Sequence, residues 1–304
     1  MNILPIIEFP PELDLNYYRQ SYPELNVVPE DILKEHCDRF AIEQGRSTCI
    51  YDRREQLQKL LQNVINKYHL KTLEISPWDN PFICGDSVKY FDGADPETLR
   101  KNSEEVNRPF NSVPEKIDFI SPNYDLSIID ENFDIVFSSH VIEHTVDLIK
   151  HLQCVSNILN QGGLYILIIP DKRYCFDYYQ TESTIAKVID AFVYKRKLPS
   201  IETFINYNFC GVTHNNPFLH WLGNHSEEQP SDSTCDEFWQ EIDEYTEALE
   251  NDRYINNHNW QFTPNSFGYI IRTLKKLKFI DLSLYRLCHT IWGRFEFVAI
   301  LEKC

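Results

Sequence analysis

The chain has 304 residues, 42% of them hydrophobic, which suits one large domain with a sizeable core and some appended segments. Acidic residues number 46 and basic residues 29, a net charge of -17. Nucleic acid and anionic membrane surfaces both require a basic face, so neither is expected as the main partner.

No apolar run reaches the ~18 residues that a membrane span needs. The opening MNILPIIEFPPELD has neither a basic n-region nor a small-residue cleavage site, so no signal peptide is expected. Nine cysteines, an odd number with no CxxC pair, read as reduced thiols of a cytoplasmic protein. They support neither a disulfide framework nor a metal site, and none is expected. Nothing in the sequence points to an oligomeric state.

Residues 1–50 are mixed and carry several prolines. Asp52 to Tyr68 reads as a helix with Asp52 as N-cap, because Leu57, Leu60, Leu61, Val64, Ile65 and Tyr68 follow the 3.6-residue period. Short apolar runs come next at Leu70–Ile75, Val88–Phe91, Ile117–Ile120 and Phe133–Ser138, and each predicts a strand. A helix is predicted over His144–Leu159, ended by Gly162 and Gly163, followed by a fifth strand at Leu164–Ile169. Strands alternating with helices predict a parallel sheet covered on both faces.

Lys172 to His258 breaks that rhythm and reads as a large insertion. It holds an acidic run, Glu227 to Asp252, with eleven carboxylates and no Lys or Arg, which reads as a solvated helix face or loop. Regularity returns with Thr263 as N-cap and Pro264 at the first helical position. Two last strands, Phe279–Leu287 and Arg294–Glu302, are joined too closely to be parallel. The whole predicts an α/β chain with a seven-stranded mixed sheet, its last strand antiparallel and inserted beside the fifth.

The first strand ends TLEISPWDNP and the second ends KYFD. Glu74 and Asp92 therefore stand at strand tips, where carboxylates face a nucleotide-type ligand in the crevice beyond the sheet. An acid ~20 residues past the first motif suits the two hydroxyls of a ribose.

FDIVFSSHVIEH, a helix, and LNQGGLYILIIP then follow in order. This succession resembles the class I S-adenosylmethionine-dependent methyltransferases, with LEISP as a variant of their first motif. The resemblance covers roughly Lys71–Asp171. It implies a Rossmann-like domain over residues 51–304, S-adenosyl-L-methionine as cofactor, and a ribose on Asp92. It also implies that Glu74, Ser76, Ser139 and His140 lie beside the cofactor, His140 toward the methionine end. His144 reads as structural. Two departures stand out. Ser76 occupies the place of a glycine, where a side chain crowds the ligand. The usual adenine-binding acid is absent, so Asn123 or backbone is expected to hold that ring.

A narrower resemblance links PDKRYCFDYY, NNPFLHW-x₃-H and NHNWQFTPNSF to a bacterial subfamily associated with polysaccharide genes and glycosyltransferases. NYYRQSYPEL…EQGR is similar to a short helical module of the same proteins, and residues 1–50, which lie outside the core elements and hold aromatic and polar residues left over from them, are expected to form a helical lid over the acceptor side. The insertion, 172–258, is expected on the acceptor side. Candidate bases there are His220, His225 and His258, with His214 nearby. Lys172 and Arg173 are expected to bind a carboxylate or phosphate of the acceptor, or else to pair with the acidic insertion. Tyr174 and Trp221 are expected to line the acceptor site, Trp221 offering its ring to a sugar.

The expected activity is O-methylation of a sugar, glycan or other small hydroxy acceptor. Carboxyl or nitrogen methylation of a peptide or natural product stays open. So does a non-catalytic, partner-binding domain of the same fold.

Overall fold

Leu57, Leu61 and Ile65 recur at helical spacing, and all three are buried beneath α3 (Arg54–Tyr68). Alternate residues of the strands sort in the same way to two faces. Leu73, Ile75, Val136, Leu167 and Ile169 join one cluster, and Ile135, Phe137, Ile166 and Ile168 join the other. A sheet buried on both sides results, as continuous apolar strands require. A computed structural model of the chain describes residues 13–108, 112–209, 213–227 and 234–304.

The seven strands are β1 (Thr72–Ile75), β2 (Val88–Asp92), β3 (Phe119–Ile120), β4 (Phe133–Ser139), β5 (Leu159–Pro170), β6 (Leu282–Cys288) and β7 (Glu296–Lys303). Their order is β3-β2-β1-β4-β5-β7-β6. The first five pair in parallel, and β7 lies between β5 and β6, antiparallel to both. The expected inserted antiparallel strand is present. Strand order reverses between β1 and β4, so a crevice opens beyond Ile75 and Ser139, where ligands bind in such sheets.

Residues before β1 form α1 (Leu15–Ser21) and α2 (Glu30–His36), with a small core of Tyr18, Leu25, Leu33, Cys37 and Ala41. This segment docks on the loop between β6 and β7 through Gly45, whose carbonyl accepts the Trp292 N–H at 2.7 Å. Gly45 has φ +62°, and a Cβ there would sit 2.5 Å from the Trp292 nitrogen. Only glycine allows the two backbones so close. After β2 comes α4 (Pro96–Glu105), and after β4 comes α5 (Leu148–Ile158). The insertion folds into α6 (Ile185–Val193), α7 (Ile201–Phe209), α8 (Pro217–Trp221) and α9 (Cys235–Glu250), and α10 (Pro264–Lys276) returns to the core. The carboxylates of α9 face solvent, apart from the half-buried Glu241.

Several boundaries differ from the sequence reading: α5 ends at Ile158, with Gly162 and Gly163 inside β5 rather than ending the helix, and β6 starts at Leu282 rather than Phe279. Asp52 does not cap α3, because its carboxylate accepts bonds from Ser47 Oγ at 2.7 Å and Thr48 N at 2.8 Å in the preceding segment. The helix after β4 starts at Leu148 rather than His144. Ile142–His144 forms a separate 3₁₀ turn, and Asp147 caps the helix by accepting from Lys150 N. Thr263 and Pro264 start α10 as expected, with Thr263 Oγ1 accepting from Ser266 N.

Phe267 is fully buried and packs edge-on against Phe262 and Phe297. Phe267→Ala should lower the unfolding free energy by ~3–5 kcal/mol, read by urea denaturation, because it removes an aromatic ring from a two-layer core.

Candidate functional site

The crevice end of the sheet is built first by the turn after β1. Ser76 adopts φ +53° and Trp78 φ +44°, so the turn takes the left-handed shape that a glycine would favour. Ser76 N donates to Phe91 O at 2.8 Å, which fixes the turn against β2. Glu74 does not project into the open crevice. Its buried carboxylate accepts from Phe82 N at 2.8 Å and Ile83 N at 3.1 Å and pins the loop between β1 and β2. Burial pushes its pKa up to about 8, against the pull of those two bonds.

Asp92 stands at the tip of β2, as expected. It has one firm bond, from Gly93 N at 2.7 Å to Oδ1. Trp78 N to Oδ2 and Tyr124 O–H to Oδ1 are long, at 3.4 Å each. Oδ2 therefore retains accepting capacity. Burial raises the Asp92 pKa to about 6. Gly93 leaves room for the Tyr124 ring, which would lie 2.7 Å from a Cβ at that position. Asn123 is exposed in the same turn, and its neighbour Tyr124 is the side chain that reaches Asp92.

The turn after β4 gathers ionisable groups. Ser139 Oγ accepts from Arg54 Nη1 at 2.8 Å. His140, at φ +54°, places Nε2 at 2.8 Å from Glu296 Oε2 and Nδ1 at 3.6 Å from Glu143 Oε1. Burial pulls its pKa down, but the two carboxylates outweigh that and raise it to about 9. Glu143 is fully buried, and among the described residues neither of its oxygens has a hydrogen-bond partner. Burial alone would raise its pKa, and the surrounding imidazoles, His140 first, hold it below the usual range. His144 is lowered to about 4, chiefly by burial. His258 Nδ1 lies 2.7 Å from Asp177 Oδ2. Burial opposes charge on His258, but Asp177 wins and raises it.

Beyond β5, α8 carries a second group of imidazoles. Asn216 caps this short helix and Pro217 opens it. Buried His220 places Nε2 at 3.0 Å from His214 O and Nδ1 at 3.0 Å from His225 Nδ1. A carbonyl only accepts, so Nε2 of His220 carries the hydrogen. In the neutral ring its Nδ1 then offers a lone pair to His225 Nδ1–H, which leaves Nε2 of His225 basic. Tyr178 stacks on His225 at 3.7 Å, and Tyr174 stacks on Trp221 at 4.0 Å. Lys172 Nζ donates to Tyr178 O at 2.6 Å, and Arg173 clasps Asp171 with Nε at 2.9 Å and Nη2 at 2.6 Å.

The structure thus gathers His140 with Glu143, His144 and His258, and His220 with His214 and His225. It separates Glu74 from Asp92, one on the α3 face and one in the crevice. Sequence reasoning assigned no role to Glu143, Asp177, Tyr124, Tyr178 or Glu296. Glu143 alone had a local signal, since it lies between two histidines in SSHVIEH.

Residues 93–167 match the family model described as a methyltransferase domain. No curated protein matches the sequence. Among solved structures, the chain is similar to an S-adenosylmethionine-dependent methyltransferase from Clostridium acetobutylicum. Identity is 9%, coverage is 90% of this chain and 98% of that one, and the TM-score is 0.39. A methyltransferase from Aquifex aeolicus shares 9% identity over 90% of this chain and 98% of its own, with a TM-score of 0.36. The magnesium protoporphyrin IX methyltransferase of Synechocystis, solved with bound S-adenosylhomocysteine, shares 9% identity over 91% of this chain and 100% of its own, at 0.34.

The residues present fit S-adenosylmethionine. Asp92 has an oxygen to spare for ribose hydroxyls, and Ser76 holds the turn in the shape that the first motif requires. Asp92→Ala should weaken S-adenosylhomocysteine binding by ~1.5–3 kcal/mol in calorimetry, the range for a hydrogen bond to a charged group. The carboxylate accepts best when ionised. Wild-type affinity should therefore fall as pH drops through about 6, and the variant should lose that dependence.

Proposed function

We propose that this S-adenosylmethionine-dependent methyltransferase methylates an oxygen of a small hydroxy acceptor, a sugar or glycan hydroxyl. The bound cofactor supplies an activated methyl group, and the chain supplies alignment, a dry site and a base. A hydroxyl holds its proton tightly, so a placed base contributes ~10²–10⁴ in rate. The observation that carries this reading is the His220–His225 pair. His225 is half-buried, with its Nδ1 bonded to His220. Burial, with the neighbouring His214, lowers its pKa and keeps it neutral at cellular pH, ready to accept a proton on Nε2. When His225 gains that proton, the His220 lone pair still accepts from its Nδ1–H. His220 therefore acts as a positioning residue.

A sugar acceptor is supported by half-exposed aromatic faces beside α8. Phe218 and Trp292 meet edge-on at 5.2 Å, and each exposes about half its surface. Carbohydrate C–H faces pack on such rings, and neighbouring Asn and Ser side chains suit its hydroxyls. Lys172 and Arg173 are held internally by Tyr178 O and Asp171, so a neutral acceptor needs no further role from them. We read residues 13–50 as a lid on this side, because Gly45 abuts both Trp292 and Trp221; residues 1–12 of the expected lid lie outside the described residues.

His225→Ala should lower turnover at least ~10²-fold with unchanged cofactor affinity. The wild-type rate should fall below pH ~6.5, the ordinary imidazole range. His220→Ala should shift that acid limb rather than abolish it. A pH-rate series on the three proteins reads all of this, and a flat wild-type profile would refute the base. Deleting residues 1–46, which spares buried Cys49 and Tyr51, should cut acceptor turnover more than S-adenosylhomocysteine binding. Equal losses would reduce the segment to a stabilising role.

A further inference from the structure

Three residues of this turn and its support carry buried polar atoms with no hydrogen-bond partner among the described residues: both oxygens of Glu143, Nδ1 of His144 and Oδ1 of Asp177. A buried carboxylate without a close donor is costly; His140 Nδ1 at 3.6 Å and His144 Nε2 at 3.8 Å stand beside Oε1 and answer its charge without closing on it, which leaves its lone pairs open to a cation. Glu143, His144 and His258 each aim one ligand-type atom at the others, all within 4.8 Å. We infer that these three side chains form a binding site for a divalent transition-metal cation, open on one side to an oxygen of the acceptor.

The geometry supports the assignment. Two ligands at ~2.1 Å from a shared ion lie at most ~4.2 Å apart. In a tetrahedral site they lie ~3.4 Å apart, so the Glu143 Oε1 to His144 Nε2 pair, at 3.8 Å, closes by under half an ångström, and the third ligand atom, within 4.8 Å of both, closes by up to roughly 1.5 Å. His258 gives Nδ1 to Asp177 at 2.7 Å and keeps Nε2 for a metal. A carboxylate behind a ligating imidazole is the usual support of such sites. Two imidazoles and one carboxylate suit zinc, cobalt or iron rather than magnesium or calcium.

The mounting is also rigid. Glu143 O accepts from Asn259 N at 2.7 Å and Trp260 N at 3.1 Å. Asn259 Nδ2 donates to His144 O at 2.8 Å, and Trp260 Nε1 donates to Thr145 O at 2.5 Å. The two segments that supply ligands are thus bound to each other before any ion arrives. The site lies in the turn after β4, on the crevice side of the sheet. A metal there would bind an acceptor hydroxyl and lower its pKa. That last step rests on the oxygen-methylation reading. The cation site itself does not.

The test uses the full-length protein, stripped with a chelator and titrated with cobalt(II) alone. One equivalent should bind and develop the visible absorption of four- or five-coordinate cobalt. Glu143→Gln should abolish that absorption, and Asp177→Asn should weaken binding ~10–100-fold. If Glu143→Gln does not fold, the wild-type spectrum and Asp177→Asn decide the matter. Each protein's fold is checked by its thermal shift with S-adenosylhomocysteine. A wild-type protein that binds no cobalt, or a spectrum unchanged in Glu143→Gln, overturns the site and leaves Glu143 as a charge balanced by His140. Loss of the S-adenosylhomocysteine shift with cobalt binding intact would instead strike the methyltransferase reading.

Discussion

The Glu143 carboxylate, buried with no hydrogen-bond donor to either oxygen among the described residues, is the constraint around which this molecule is arranged. A buried charge must be compensated by groups brought to it. Those groups come from near and far in sequence: His140 and His144 from its own turn, and His258 from the end of the insertion. His140 in turn reaches Glu296 on β7, and His258 reaches Asp177 at the start of the insertion. Four separate stretches of chain are thus fixed relative to the C-terminal ends of β4 and β5. The backbone reinforces the side chains, because the Glu143 carbonyl takes two N–H groups from Asn259 and Trp260.

One consequence is that the insertion leaves and re-enters the core at a single place. Lys172 N donates to Phe262 O at 2.9 Å, Ser183 N to Gln261 O at 2.9 Å, and Gln261 N to Ser183 Oγ at 2.9 Å. Its two feet are paired, so closing the long excursion places little strain on the sheet. The helices between the feet are then free to vary without disturbing the sheet, as loops on a fixed scaffold commonly are. α8 uses that freedom. It sets His220, Trp221 and Phe218 against Tyr178, Tyr174 and Trp292, aromatic neighbours that belong to the feet and to the β6–β7 loop.

The sheet was legible in the sequence because strand periodicity and burial are local properties. Leu70–Ile75 and Leu164–Ile169 announce buried strands, and the short link before Glu296 announces the antiparallel insertion. Asp92 was legible for the same reason, since the tip of a strand is a position that a pattern can find. Glu74 was read correctly as a strand-end acid, but its direction was not legible. Whether a side chain meets ligand or loop backbone depends on how residues 76–87 fold back, and those carry no periodic signal. Asp52 misled for a related reason. Its cap-like position lost to donors at Ser47 and Thr48, a competition that only the packed N-terminal segment makes visible. The His258–Asp177 pair spans 81 positions, and no local pattern encodes such a contact.

The two groups of imidazoles are held in opposite electrostatic settings, and this separates what each is able to do. Around Glu143, carboxylates answer the histidines: Glu296 and Glu143 hold His140 charged at neutral pH, and Asp177 raises His258. Such rings are fixed in place and in charge, which suits anchoring and suits poorly a proton that must come and go. Around α8, histidines answer histidines and a carbonyl. His220 and His225 are both lowered, by burial first and by neighbouring imidazoles after it. A ring kept neutral, with one nitrogen occupied by a neutral partner, has its other nitrogen free and basic. The fold therefore provides a rigid, charge-balanced centre at the turn after β4 and a pair of neutral imidazoles beyond β5, of which His225 is the one proposed above as base. On the proposed oxygen-methylation reading the base has to be unprotonated at working pH, a condition that the lowered rings of α8 meet and the raised His140 does not.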